Sequence, residues 1–112
     1  MNIQYATSAA DHTRCFEVMK ELRPHHNLES FLRTMDAMQK EGYHLLYLEV
    51  EGRMVSVAGF RFTTTLYDGL IIDFDDFVTL TNGRSKGYGA MMFDHLVGIA
   101  KEKGIKMIHL NS

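Results

Sequence analysis

Apolar residues along this chain change period several times, and each change marks an element. Ile3–Ala6 reads as a short first strand. Ser8 then stands as a helix N-cap with Asp11 three residues on, the spacing of a capping box. Cys15, Val18, Met19 and Leu22 follow at helical spacing until Pro24 closes the helix. A second helix is predicted from Leu28 to Glu41, with Asn27 as its cap, Gly42 as its stop and Leu28, Phe31, Leu32, Met35 and Met38 as its stripe. The middle of the chain is β-rich. Tyr43–Val50 and Arg53–Thr63 flank Glu51-Gly52, a two-residue hairpin turn. Alternation along the second strand puts Val55, Val57 and Gly59 on one face, and Ser56, Ala58, Phe60 and Phe62 on the other. Leu70–Leu80 is a further strand with the polar cluster Asp73, Asp75 and Asp76 at its centre. The glycine-rich turn Asn82–Gly89 opens a third helix with Met92, Phe93, Leu96, Val97 and Ala100 as its buried stripe. That helix stops at Gly104, and Ile105–Leu110 reads as the last strand.

The order β-α-α-β-β-β-α-β predicts an α+β fold with a mixed sheet: antiparallel strands, then one β-α-β crossover. At 112 residues the chain makes a single domain, 1–112, and 46% hydrophobic residues suffice for a core. A net charge of -2 and the lack of a basic run argue against a nucleic-acid partner. No apolar stretch is long enough for a membrane span, and the first residues do not form a signal peptide. Cys15, the lone cysteine, excludes an internal disulfide and points to a reducing, cytoplasmic setting. The scattered histidines, including His25-His26, lack the spacing of a metal site.

The sharpest motif is Arg84-Ser85-Lys86-Gly87-Tyr88-Gly89-Ala90, between a strand and an amphipathic helix. Two glycines let backbone approach a ligand closely, and the unpaired N–H groups of a helix start attract a pyrophosphate. A Walker A loop would need Gly-Lys-Ser/Thr, which is absent. A dinucleotide fingerprint would follow the first strand of a parallel sheet with a third glycine, where Met92 stands instead. The Arg/Gln-x-x-Gly-x-Gly/Ala pattern of coenzyme A transferases matches; a structural helix start with glycines for packing is the plain alternative.

With this loop, the element order and the strand Asp75-Asp76-Phe77-Val78-Thr79-Leu80, nearly the whole chain resembles the GNAT superfamily of N-acetyltransferases. Leu22-Arg23-Pro24-His25 and Val57-Ala58-Gly59-Phe60-Arg61 add a likeness to a bacterial subgroup of small members. The resemblance implies acetyl-CoA as cofactor, with its pyrophosphate on Ser85–Ala90 beside Arg84 and Lys86. It also implies a splay between the fourth and last strands, holding the pantetheine arm along the backbone of Val78, Thr79 and Leu80. A backbone N–H of a bulge near Val78–Thr79 would polarise the carbonyl. The family continues past the last strand with a fourth helix, which carries an acidic tyrosine, and two further strands. Relative to that pattern this sequence is short, and it predicts weak activity and a homodimer or higher oligomer, joined through the last strands Ile105–Leu110 or through exposed faces.

The expected reaction is acetyl transfer to an unidentified amine by direct attack; a catalytically impaired coenzyme A-binding module is the alternative. Asp75 and Asp76 are the candidate catalytic carboxylates. Alternation places Asp73 and Asp75 on one face and Asp76 on the other. Solvated aspartates, or aspartates bonded to backbone and Arg61, are the competing reading. The Pro24–Leu28 turn and the second helix border the expected acceptor pocket. His109 is a candidate proton shuttle, against the plainer reading of a core or edge histidine, and Cys15 reads as a core thiol.

Overall fold

The computed structural model describes residues 2–80 and 86–110. Their order is β1 (Asn2–Tyr5), α1 (Ala9–Leu22), α2 (Leu28–Lys40), β2 (Tyr43–Val50), β3 (Arg53–Thr65), β4 (Gly69–Thr79), α3 (Tyr88–Glu102) and β5 (Ile108–Leu110). The strands form one sheet in the order β1-β2-β3-β4-β5, antiparallel throughout except for the parallel pair β4–β5. This is the α+β mixed sheet that the order of elements predicts.

The helix starts follow local rules. Ser8 accepts from the Asp11 amide while the Asp11 carboxylate accepts from the Ser8 amide, a complete capping box at the head of α1. Asn27 and Ser30 make the same reciprocal pair at the head of α2. The β2–β3 turn has positive φ at both central residues, 52° at Glu51 and 77° at Gly52, as a hairpin matching the strand twist requires.

Each face of the sheet carries a core. On one, Cys15, Val18 and Met19 of α1 and Phe31 and Met35 of α2 pack on Tyr43, Leu45, Val57 and Val78. On the other, Met92, Leu96 and Ala100 of α3 pack on Leu46, Leu48, Phe60, Ile72 and Phe74. Burial of each such side chain stabilises by about 1.5–3 kcal/mol, so both faces contribute substantially. In α3 the buried stripe is narrower than expected, because Phe93 is exposed and Val97 only half-buried.

Strand details depart from simple alternation. A register shift opposite Leu48/Glu49 puts Val55 in the α3-side core with Ala58 and Phe60, away from Val57. The expected last strand is shorter, since Ile105–Met107 does not belong to it. Gly104 (φ 70°) instead ends α3 with its amide donating to Lys101 C=O, and the Ile105 amide donates to Ala100 C=O. That pair of bonds is a Schellman motif, with Ile105 buried against the same core as Ala100. β5 then pairs with β4 for three residues, Ile72↔Ile108 to Phe74↔Leu110.

Candidate active site

The decisive irregularity lies in β4. Its register with β3 runs Gly59↔Asp76 and then Phe60↔Phe74, so Asp75 is an extra residue and the strand bulges there. The bulge cancels the alternation expected of the aspartates. Phe74 and Phe77 turn toward the α3 side, whereas Asp75 and Asp76 both line a cavity beneath α1 and α2. It also lies before the Val78–Thr79 position expected for it.

Asp76 is held from two sides. Tyr43 Oη donates to one carboxylate oxygen at 2.6 Å, and Arg23 Nε donates to the other at 2.9 Å. The Arg23 guanidinium also donates to the Asp75 carbonyl at 3.1 Å, fastening the bulge to the end of α1. Burial, reinforced by the charges of Asp76 and Asp75, pushes the Tyr43 phenol far above its ordinary range, so it stays a neutral donor. Gly59 makes room for this ring: a Cβ there would fall on the Tyr43 hydroxyl. Asp75 is more open. Its side chain is 37% exposed against 12% for Asp76, and Arg61 stands 4.0 Å away. Half of the competing reading thus holds, because both aspartates sit in ion pairs.

Two cavities meet at this bulge. One, of about 340 Å³, is bounded by Arg23, His25, His26, Met35, Tyr43 and both aspartates. The other, of about 350 Å³, opens where β5 stops alongside β4 and is lined by Leu22, Phe74, Phe77, Leu110 and again Arg23, Asp75 and Asp76. Arg23 and Tyr43 were not among the predicted site residues, whereas His25 and His26 belong to the Pro24–Leu28 turn expected beside the acceptor pocket. The Arg23–Asp76 bond spans 53 positions, and no periodicity signals such a contact.

The start of α3 lies against the Phe77 ring, which lines the second cavity: a Cβ on Gly89 would stand 3.9 Å from Phe77 Cε1. Arg84 and Ser85 fall outside the described residues. Gly87 is the N-cap in the left-handed region (φ 75°), and among the described residues no side chain caps the helix. The first helical bond runs from the Met91 amide to Gly87 C=O, leaving the Tyr88, Gly89 and Ala90 amides without intrahelical acceptors. A Cβ on Gly89 would lie 3.2 Å from Thr79 Oγ1, so glycine there lets the helix start press against β4. Lys86 is exposed and Tyr88 half-buried against the α3-side core. Along β4, the Leu80 amide donates to Val55 C=O, and the Val78 carbonyl accepts from the Ser56 hydroxyl. By ladder alternation the Thr79 peptide groups turn toward the β5 side. The expected pantetheine edge is therefore narrowed, because the Leu80 amide is committed to β3. His109 is an edge residue, 3.6 Å from Asp68.

Comparison with known proteins places this arrangement. The model of the acetyltransferase (GNAT) family matches residues 8–112. An uncharacterized N-acetyltransferase, YhdJ of Bacillus subtilis (strain 168), is 28% identical over 113 residues, covering 100% of this chain and 80% of that protein. Among solved structures, a GNAT family acetyltransferase of Staphylococcus aureus subsp. aureus USA300_TCH1516 superposes with a TM-score of 0.87 at 18% identity, covering 99% of this chain and 85% of the other. A predicted acetyltransferase of Clostridium acetobutylicum, crystallised with acetyl-CoA, gives 0.71 at 18% identity, over 99% of this chain and 80% of its own. With a family match over most of its length and the same fold, the chain belongs to the acetyltransferase (GNAT) family and is an acetyltransferase.

Proposed function

We infer that the chain transfers the acetyl group of acetyl-CoA to an amine by direct attack. The observation that carries this reading is that two cavities share Asp75 and Asp76, one also lined by Phe77, against whose ring the start of α3 lies, and one beneath α1 and α2. A two-substrate reaction needs such a junction, because holding both reactants in contact supplies much of the rate.

Acetyl-CoA supplies an acyl thioester, whose C–S bond breaks as the C–N bond to the amine forms. The Tyr88, Gly89 and Ala90 amides fit its pyrophosphate, with Lys86, Arg84 and Ser85 adding charge and donors. The Val78–Thr79 edge of β4 suits the pantetheine arm. Asp75, the more accessible carboxylate, takes the proton that the attacking ammonium must lose. Asp76 is a positioning residue, since Arg23 and Tyr43 occupy both of its oxygens and hold the bulge in place.

Thermal denaturation with and without acetyl-CoA tests the binding half, and thiol release with a panel of amines tests the transfer. A stabilisation of about 2.7 kcal/mol is expected at a hundredfold excess over the dissociation constant. No stabilisation at any concentration would overturn the reading, and binding without transfer to any amine would leave a coenzyme A-binding module.

A further inference from the structure

The cavity beneath α1 and α2 has an apolar wall and an acidic end, and this asymmetry specifies what fits. Met19, Phe31, Met35 and Met38 form the wall. Thioethers adapt to aromatic or aliphatic surfaces and offer almost nothing to a hydroxyl or phosphate. A polyhydroxylated occupant would bury hydroxyls against this wall without partners, at a cost on each; Arg23, His25, His26, Thr34 and Tyr43 line the rest of the cavity. The acidic end carries Asp75 and Asp76, and Arg23 is the one permanent cation among the described lining residues. Arg61 stands 4.0 Å from Asp75, so each carboxylate already faces one guanidinium, and the partly exposed Asp75 is the one that an ammonium entering the cavity can reach. About 340 Å³ lies near the lower limit for ligand sites and so fits a small molecule.

We propose that this cavity takes a small primary amine carried on a compact aryl or branched aliphatic group. The ammonium sits at Asp75, which lines both cavities, and the apolar group packs on the methionines and Phe31. The inference rests on the acyl-transfer reading above and adds the class of acceptor to it.

The test sets 2-phenylethylamine and isopentylamine against ethanolamine and glucosamine at saturating acetyl-CoA. The apolar amines should show kcat/KM higher by about 10-fold or more, the scale on which apolar pockets discriminate. Met38→Lys places a cation on the wall; it should raise KM for 2-phenylethylamine by about 10-fold while the thermal shift with acetyl-CoA persists. Should Met38→Lys fail to fold, Thr34→Lys on the same half-buried helix face replaces it. Equal or better turnover of ethanolamine or glucosamine overturns the proposal and leaves acyl transfer standing. If no amine is acetylated, acyl transfer itself fails, and saturation-transfer NMR of 2-phenylethylamine on the acetyl-CoA-saturated protein decides the cavity. Aryl signals that vanish in the lysine variant support it, and their absence from the unsubstituted protein overturns it.

Discussion

The starts of α1 and α2 contrast with the start of α3. The first two helices satisfy their leading amides with their own side chains, Ser8 with Asp11 and Asn27 with Ser30. The third begins on a left-handed glycine with no side-chain cap among the described residues. The aspartates repeat this contrast. Asp76 is consumed by Arg23 and Tyr43 within the α1–β2–β4 packing, whereas Asp75 next to it, facing Arg61, is 37% exposed. Groups that close the fold on itself lie toward α1 and α2; groups available to ligands gather along β4 and the head of α3. The difference teaches that stability and binding draw on separate residues here, so substitutions should separate them.

The largest expected effect is on turnover. Asp75→Asn should lower kcat/KM by about 10²–10⁴-fold, the usual range for a lost general base. Its cost in stability should stay within about 1 kcal/mol, since a half-exposed ion pair contributes little. Asp76→Asn reverses the emphasis, costing about 1–3 kcal/mol in denaturant melts because Tyr43 and Arg23 lose a charged partner. Equal stability losses for both variants would erase the contrast between them.

Next comes pH. Burial, with help from the Asp11 charge, raises the Cys15 thiol from 9.0 to about 12. Above pH 9 the unfolded thiol ionises while the folded one does not, so the unfolded state holds fewer protons and stability falls with rising pH. The Cys15 contribution to that slope is about 1.4 kcal/mol per pH unit, up to the folded value. Cys15→Ala should flatten the profile between those limits, and urea melts of both proteins at pH 8, 9 and 10 would show it. Parallel profiles would mean that the thiol is not shielded by the α1–α2 core.

Gly87→Glu tests the head of α3 directly. It combines a negative charge with a left-handed backbone and should remove the whole acetyl-CoA stabilisation of about 2.7 kcal/mol. Gly87→Asn, which tolerates that backbone, should retain part of it. An unchanged shift in Gly87→Glu would put the binding site elsewhere. The smallest effects belong to the capped helices. Ser8→Ala and Asn27→Ala should each cost about 1 kcal/mol of stability and leave the acetyl-CoA shift intact. A lost shift in either would show that the two regions are coupled.

Much of this was legible because it is local. A capping box spans three residues, the Glu51-Gly52 turn two, and helical stripes repeat every turn, so Ser8, Asn27, Gly42 and Gly104 mark their boundaries without reference to any distant residue. The glycines at 87 and 89 announced a helix start that packs closely on neighbouring backbone and side chains. Three features were not legible. Alternation assumes an unbroken ladder, and whether β4 bulges at Asp75 depends on its register with Gly59 and Phe60 of β3. Likewise Ile105 has strand-like chemistry but closes α3, because burial with Ala100 outweighs extension along β4. Arg23 and Tyr43 reach Asp76 only once α1, β2 and β4 are packed together. The sequence by itself determined where the helices begin and end, through contacts a few residues long. Tertiary packing decided that both aspartates face one cavity, since a bulge reverses side-chain direction and only the partner strand sets where it falls.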